Sequence, residues 1–235
     1  MKIEIQDVSY TYQRHRSALA GCSFACAGGE ITAVLGPNGS GKTTLFELLS
    51  RQRPWQSGGC TVVDGPKFGD LVVGWASSDP VFYETTPVST FVERTYGPAF
   101  GLTRAESAGR GSALAKALRF EDDYARPPRE LSRGNRTKAS ILLAMLHEPA
   151  LLLLDEPFTG LDLGTVDALL AVLDDYAHVR KACVVLADHQ VGALDAIVDH
   201  VAFIEDGKIV HAARRDELLA RHGTLSDAYR SVFHH

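Results

Sequence analysis

The sequence has no apolar stretch long enough to cross a bilayer, which takes about 20 consecutive apolar residues. Its best candidate, residues 141–154, is interrupted by His147, Glu148 and Pro149. The first ten residues, MKIEIQDVSY, alternate polar and apolar side chains, whereas a signal peptide has a basic segment followed by an apolar run. We therefore expect a cytoplasmic chain with no membrane span of its own.

Excess positive charge and paired cysteine motifs are also missing. The formal net charge is -5 at pH 7. The chain thus lacks the electrostatic attraction of a general phosphate-backbone binder, and we expect no nucleic-acid partner. The cysteines Cys22, Cys26, Cys60 and Cys183 are scattered and contain no CxxC pair; only Cys22 and Cys26 are close, four apart in a strand-like segment that would put both on one face. They are interpreted as buried free thiols, not as a metal or redox site.

The apolar residues that are present predict an α/β fold. With 235 residues, 45% of them hydrophobic, the chain can bury the core of one large domain. The all-apolar run LLLL at 151–154, alternating with amphipathic helical patterns, predicts a mostly parallel sheet covered by helices on both faces. The expected strands are 2–8, 30–35, 60–63, 71–75, 150–154, 182–187, 200–204 and 207–211.

A segment without strand signals interrupts this pattern between about residues 83 and 149. Thr103 and Glu106 have the spacing of a helix capping box, whereas Gly109 and Gly111 weaken any single long helix there. We expect a single domain over 1–235, with this segment inserted as a helical subdomain.

The loop at 36–44, GPNGSGKTT, fits the phosphate-binding pattern GxxxxGK[ST] and stands between the strand ITAVL and a helix. In this pattern, glycines let backbone N–H groups point at phosphate oxygens, and the helix directs its positive end at them. Lys42 is then expected to bridge the β- and γ-phosphates, and the Thr43 hydroxyl to ligate Mg²⁺. The predicted nucleotide-binding residues here are Gly36, Pro37, Asn38, Gly39, Ser40, Gly41, Lys42, Thr43 and Thr44. The pattern alone equally fits a small-molecule kinase or a GTPase.

Two adjacent acids end the buried strand in ALLLLDEP at 150–157. The carboxyl edge of an α/β sheet is where ligands bind, and neighbouring strand residues point in different directions. Asp155 is therefore predicted to serve Mg²⁺, and Glu156 to polarise the water that attacks the γ-phosphate.

The order of motifs resembles the ATP-binding cassette of ABC transporters over essentially the whole chain. GPNGSGKTT is followed by LSRGNRTK at 131–138, LLLLDEP, TGLD at 159–162 and His189. Kinases and GTPases lack the middle motif. The resemblance implies a P-loop NTPase core with an N-terminal antiparallel β portion and an inserted helical subdomain. It also implies ATP and Mg²⁺ as cofactors, a second ABC ATPase subunit that encloses two ATP molecules with the first, and a transmembrane permease partner.

The resemblance also implies site residues beyond the phosphate loop. In LSRGN, Ser132 and Gly134 match the signature that caps the γ-phosphate of the opposite subunit, whereas Arg133 and Asn135 depart from the common LSGGQ form. We include Asn135 with Ser132 and Gly134 among the expected ATP contacts.

Three further positions are implied. Asp162 matches the loop that crosses the dimer, and His189 matches the histidine that contacts the γ-phosphate. Tyr12 falls where the family stacks an aromatic ring on adenine, with Tyr10 an alternative two residues away.

One family feature is absent. A glutamine that touches Mg²⁺ or the attacking water usually follows a sequence like GYLPQ, but here the segment is GWASSDP at 74–80. Ser78 occupies the glutamine position and Asp79 follows it. A serine hydroxyl is expected to reach the metal only through water, so hydrolysis is expected to be slow or partner-dependent.

These patterns together predict an ATP-hydrolysing subunit, peripheral at the inner face of the membrane and touching the membrane only through its permease. LSRGNRTK and the ending TLSDAYRSVF resemble export-type members, while a small importer subunit stays open. The alternatives are a soluble ABC ATPase outside transport and a nucleotide-binding regulatory module with little turnover.

Overall fold

The computed structural model describes residues 1–13, 16–188 and 191–233. Its strands are β1 (Lys2–Tyr12), β2 (Arg16–Ala27), β3 (Glu30–Leu35), β4 (Ser57–Val63), β5 (Val73–Ala76), β6 (Leu151–Asp155), β7 (Cys183–Ala187), β8 (His200–Glu205) and β9 (Lys208–Arg214). Its α-helices are α1 (Lys42–Leu49), α2 (Val88–Phe91), α3 (Gly97–Ala99), α4 (Arg104–Ala117), α5 (Arg133–Leu146), α6 (Leu163–Asp174), α7 (Val191–Leu194), α8 (Arg215–His222) and α9 (Leu225–Phe233).

The larger sheet confirms the predicted parallel core. Its six strands have the order β5-β6-β7-β3-β8-β9, and every neighbouring pair is parallel except β8 with β9. In β6, Leu152 and Leu154 pack into the core cluster on one face, and Leu151 and Leu153 into the cluster on the other. All four are fully buried, and each stabilises the fold by about 1.5–3 kcal/mol. The carboxyl ends of β3 and β6 therefore open at one edge of a sheet that is covered on both faces.

A second, antiparallel sheet of order β2-β1-β4 forms the amino-terminal part of the chain. Its strand β2 includes the segment around Cys22 and Cys26 that was expected to be strand-like, and it pairs with β1 along nearly its whole length. Cys22, Cys26 and Cys183 are buried free thiols and Cys60 is a half-buried one, which largely confirms the interpretation of the cysteines.

The chain between β5 and β6 is helical. Every residue from 77 to 150 is described, and none lies in a strand. The capping box at α4 is confirmed, because Thr103 accepts a hydrogen bond from the Glu106 N–H and Glu106 bonds back to the Thr103 N–H. Helix α4 runs through both Gly109 and Gly111, so the two glycines do not interrupt it. A Cβ at Gly111 would lie 2.1 Å from the Tyr124 hydroxyl, so this glycine permits close helix packing.

Within the described ranges, no helix combines the length and the apolar character that crossing a membrane requires.

Candidate nucleotide site

The loop between β3 and α1 has a shape that depends on glycine at two positions. Gly41 has a φ of 109°, and a Cβ there would lie 2.4 Å from the Ala18 carbonyl oxygen. A Cβ at Gly36 would lie 2.1 Å from the Ile204 carbonyl oxygen. The backbones of β2 and β8 thus lie against the loop. A side chain at either glycine would displace the loop.

The Lys42 ammonium lies within this loop. Its Nζ donates hydrogen bonds to the carbonyl oxygens of Gly36 at 2.7 Å and Pro37 at 3.0 Å. Burial lowers the pKa of Lys42, while the carboxylates of Asp155 and Glu156 oppose that shift. The loop therefore holds a cation beside its own backbone, in position to meet an anionic ligand.

Asp155 joins the loop to the end of β6. Its Oδ2 accepts hydrogen bonds from the Thr43 hydroxyl at 2.9 Å and from the Ser78 hydroxyl at 3.2 Å. Burial raises the pKa of the Asp155 carboxyl, and the two hydroxyl bonds counteract part of that rise. The structure thus brings the three predicted metal residues to one carboxylate oxygen, and Ser78 reaches Asp155 directly.

The chemistry of these donors fits Mg²⁺. Mg²⁺ prefers hard oxygen ligands and is commonly held by one or two carboxylates together with substrate phosphates. No group of three or more His, Cys, Asp or Glu side chains is arranged to hold a metal within the described ranges. A metal at Thr43 and Asp155 would consequently depend on phosphate oxygens for further ligands.

Glu156 begins the turn after β6 in an unusual conformation. Its φ is 52°, a left-handed value that costs a non-glycine residue of order 1 kcal/mol or more. Its N–H donates to the Ala187 carbonyl oxygen at 2.7 Å, and its Oε2 accepts from the Thr159 hydroxyl at 3.4 Å. Asp155 and Glu156 both line the same cavity.

A cavity of about 450 Å³ is lined by most of the predicted nucleotide-binding residues of the phosphate loop. Its lining includes Tyr12, Asn38, Gly39, Gly41, Lys42, Thr43, Thr44, Asp155 and Glu156, all predicted from the sequence. It also includes Gln13, Ser17 and Ala18, which sequence reasoning did not assign to the site.

The structure separates the two candidate tyrosines. Tyr10 is buried at 8% exposure, whereas Tyr12 lines the cavity. The Tyr12 hydroxyl lies 3.0 Å from both Thr44 Oγ1 and Glu47 Oε2, and the Arg53 guanidinium carbon is 4.8 Å from the ring centroid. These contacts fix the ring at the mouth of the cavity.

The predicted signature residues lie outside this cavity, at the start of α5. The Ser132 hydroxyl caps the helix by accepting from the Asn135 N–H at 3.2 Å. One N–H of the Asn135 side-chain amide donates to the Asp123 carboxylate, so that donor is occupied within the chain. Gly134 packs on the turn after Glu156, since a Cβ there would lie 2.3 Å from the Gly160 carbonyl oxygen.

Asp162 caps α6 by accepting hydrogen bonds from the Thr165 N–H at 2.9 Å and the Thr165 hydroxyl at 2.8 Å. These bonds lower the pKa of Asp162. The neighbouring Leu163 is 85% exposed. His189 lies outside the described residues.

A smaller cavity of about 270 Å³ shares Asp155 and Glu156 with the first. Ser78 and Asp79 line it, and so do residues that sequence reasoning did not assign to the site, namely Arg133, Arg136, Thr137 and Thr159. The two acids therefore stand between the phosphate loop and the start of α5.

Comparison with known proteins gives this arrangement a family. Residues 19–159 match the family described as ABC transporter. The aliphatic sulfonates import ATP-binding protein of Corynebacterium glutamicum is 32% identical over 206 residues, covering 86% of this chain and 79% of the relative. The cobalt import ATP-binding protein of Rhodobacter capsulatus is 32% identical, covering 93% and 81%. The beta-(1→2)glucan export ATP-binding/permease protein of Nitrobacter winogradskyi is 30% identical, but the match spans 99% of this chain and only 39% of that relative.

Solved structures share the fold. The structure of an ATP-binding subunit of an ABC transporter superposes with a TM-score of 0.86 at 25% identity and covers 98% of this chain and 99% of its own. A dimeric ATP-binding cassette bound to ADP and phosphate has a TM-score of 0.79 at 20% identity, with 91% and 98% covered, and supports the fold alone. The predicted fold class, a P-loop core with an amino-terminal antiparallel sheet and helices, is confirmed. The chain belongs to the ABC transporter family, whose ATP-binding domains are ATPases that power transport.

Proposed function

We propose that this chain binds and hydrolyses ATP at a dimer interface and thereby drives translocation, in the export direction, by a separate transmembrane permease. The observation that carries the proposal is the contact of Thr43 with Asp155 beside Lys42, in a cavity large enough for a nucleotide. This contact joins the phosphate loop to the acidic end of β6.

Each residue has a role that follows from its place. The loop amides and Lys42 bind the β- and γ-phosphates, and Tyr12 supports the adenine ring. Thr43 and Asp155 would hold Mg²⁺, which would supply positive charge against the negative charge that develops on the phosphates. Glu156 orients the attacking water. His189 contributes the γ-phosphate contact that the sequence implies.

The proposed dimer is supported by the location of the signature residues, which lie outside the cavity of their own phosphate loop. Ser132, Gly134 and Asp162 do not line the cavity of the phosphate loop. Ser132 and Asp162 are exposed, and Leu163 presents an apolar side chain beside them. We propose that a second subunit, identical or related, brings its own start of α5 onto this ATP, with Ser132, Gly134 and Asn135 facing the γ-phosphate.

The permease is proposed to dock on the helical subdomain at 83–149 and on the loop at 78–90, which places this chain at the inner face of the membrane. Val81 is 98% exposed and Tyr83 67% exposed, so this loop offers apolar surface to a partner. Export rests on LSRGNRTK and on the carboxyl-terminal helix α9.

Phosphate release from ATP tests the enzyme directly. The purified chain should release phosphate only with Mg²⁺, and Glu156→Gln should lower kcat by about 100-fold or more while ATP still binds. Lys42→Ala, as a matched loop variant, should lose ATP binding itself. Tight binding without turnover in the wild-type chain, alone and with its permease, would favour the regulatory module that Ser78 keeps open.

A further inference from the structure

An arginine outside the nucleotide cavity contacts the aromatic ring that is proposed to support adenine. The guanidinium carbon of Arg53 lies over the Tyr12 ring, 4.8 Å from its centroid, and 5.8 Å from the centroid of the Tyr10 ring. Tyr12 lines the cavity of about 450 Å³, whereas Arg53 does not. Because a cation above a ring covers one of its two faces, Arg53 covers the outer face of Tyr12 and leaves the cavity face accessible to a base.

Glu47 connects Arg53 to the helix that follows the phosphate loop. Both carboxylate oxygens of Glu47 accept hydrogen bonds from the Arg53 guanidinium, Oε2 from Nε and Oε1 from Nη2 at 3.3 Å. Glu47 Oε2 also accepts from the Tyr12 hydroxyl at 3.0 Å. Glu47 lies in α1, which begins at Lys42. A bidentate pair of this kind fixes the plane of the guanidinium as well as its position, so the ring and the cation above it are both anchored on α1.

Tyr10 completes the surroundings of the ring. Its own ring meets that of Tyr12 edge-on, with centroids 5.2 Å apart and planes at 77°, and it is only 8% exposed. The Arg53 Nη1 lies 3.5 Å from the Tyr10 hydroxyl. Without the Arg53 side chain, the outer face of Tyr12 would meet solvent and Glu47 would lose the cation with which it pairs.

We propose that Arg53 is a positioning residue for ATP: paired with Glu47, it holds the Tyr12 ring in the orientation in which the ring stacks on adenine. This inference rests on the proposed binding of ATP. The loop amides and Lys42 bind the phosphates, so Arg53 affects the part of the affinity that depends on the base. A ring that is held in place before the nucleotide arrives loses less conformational entropy on binding.

Titration calorimetry with two ligands tests the assignment: ATP, and inorganic tripolyphosphate, which has the phosphates without the base. Arg53→Ala should weaken ATP affinity about threefold or more, up to the loss caused by Tyr12→Ala, because the ring is no longer held for stacking. The affinity for tripolyphosphate and the kcat for ATP should each change less than about twofold, since the phosphate contacts stay in place. Arg53→Lys should bind ATP with intermediate affinity, because lysine can pair with Glu47 but has no planar group to cover the ring.

Arg51→Ala is the matched control. Arg51 lies over a different aromatic ring, that of Phe68, at 5.5 Å from the centroid, and donates hydrogen bonds to the carbonyl oxygens of Gly69 and Leu71. Its substitution removes the same charge and a similar ring contact at a distance from Tyr12, so ATP affinity should change less than about twofold.

The decisive comparison repeats Arg53→Ala in a Tyr12→Ala background. If Arg53 acts through the Tyr12 ring, its loss should cost less than about twofold in ATP affinity there. A loss of the same factor in both backgrounds, or an equal loss for ATP and tripolyphosphate, would overturn the proposal, and so would an unchanged ATP affinity of Arg53→Ala. A wild-type chain that shows the expected difference between the two ligands without hydrolysing ATP would refute the proposed hydrolysis and support the assignment of Arg53.

Discussion

Alanine at Gly134 is the sharpest test of the junction between α5 and the catalytic turn. Its Cβ would lie 2.3 Å from the Gly160 carbonyl oxygen, whereas ordinary contact begins at 3.4 Å. The helix or the turn must therefore move by about 1 Å, and overpacking of this kind costs about 1–3 kcal/mol. A displacement of about 1 Å in catalytic geometry can also lower the rate by about 100-fold.

Gly109→Ala provides the matched control within another helix. A Cβ at Gly109 meets nothing within 4 Å, so alanine there should stabilise α4 by about 0.5–1 kcal/mol. Urea unfolding of the two variants should give free-energy changes of opposite sign, and ATP hydrolysis should fall only for Gly134→Ala. Equal stability and equal activity of Gly134→Ala and wild type would refute the close packing of Gly134 on Gly160.

Three further outcomes follow from the geometry. Gly41→Ala should abolish ATP binding in titration calorimetry, because both its φ of 109° and its approach to Ala18 exclude a side chain. Tyr12→Ala should weaken ATP affinity roughly two- to tenfold and Tyr12→Phe less, as the ring matters more than its hydroxyl bonds; equal losses would contradict the stacking role. Burial lowers the pKa of His178, but its bonds to Asp199 and Asp174 outweigh burial and raise it. The stabilisation by protonated His178 should therefore be complete below about pH 6.5 and be lost as pH rises through the folded-state pKa. His178→Gln should reduce the pH dependence of the free energy of unfolding in urea over that window, by under about 1 kcal/mol because the side chain is substantially exposed. An unchanged pH dependence would refute this prediction.

The parallel core and the phosphate loop could be predicted because their signals are local. LLLL at 151–154 is apolar on both sides of the strand. The phosphate-binding loop is identified by the spacing of its residues in the sequence alone. Strand β2 was recognised only around Cys22 and Cys26, because RSALAGCSFACA is rich in small residues and poor in β-branched ones, so its pairing with β1 decides its conformation. Its cavity residues Ser17 and Ala18 lie outside the part that was recognised.

Other parts of the site depend on contacts between distant residues. Tyr10 and Tyr12 alternate onto one strand face, but β1 has an irregularity in its pairing with β2 between Tyr10 and Thr11. Only tertiary packing decides that Tyr10 is buried and Tyr12 lines the cavity. In the sequence, Arg133 lies at the start of a helix, and no local pattern indicates that it lines one cavity with Ser78 and Glu156.

The central claim is that ATP is hydrolysed at an interface between two copies of this chain. The most direct test is the mass of the Glu156→Gln variant, measured in the presence of nucleotide. Analytical ultracentrifugation should show twice the mass of one chain in Mg-ATP, because ATP joins the subunits and is not cleaved. In Mg-ADP the mass should be that of one chain. A single-chain mass in saturating Mg-ATP, with ATP binding verified in the same sample, would contradict an interface between two copies of this chain.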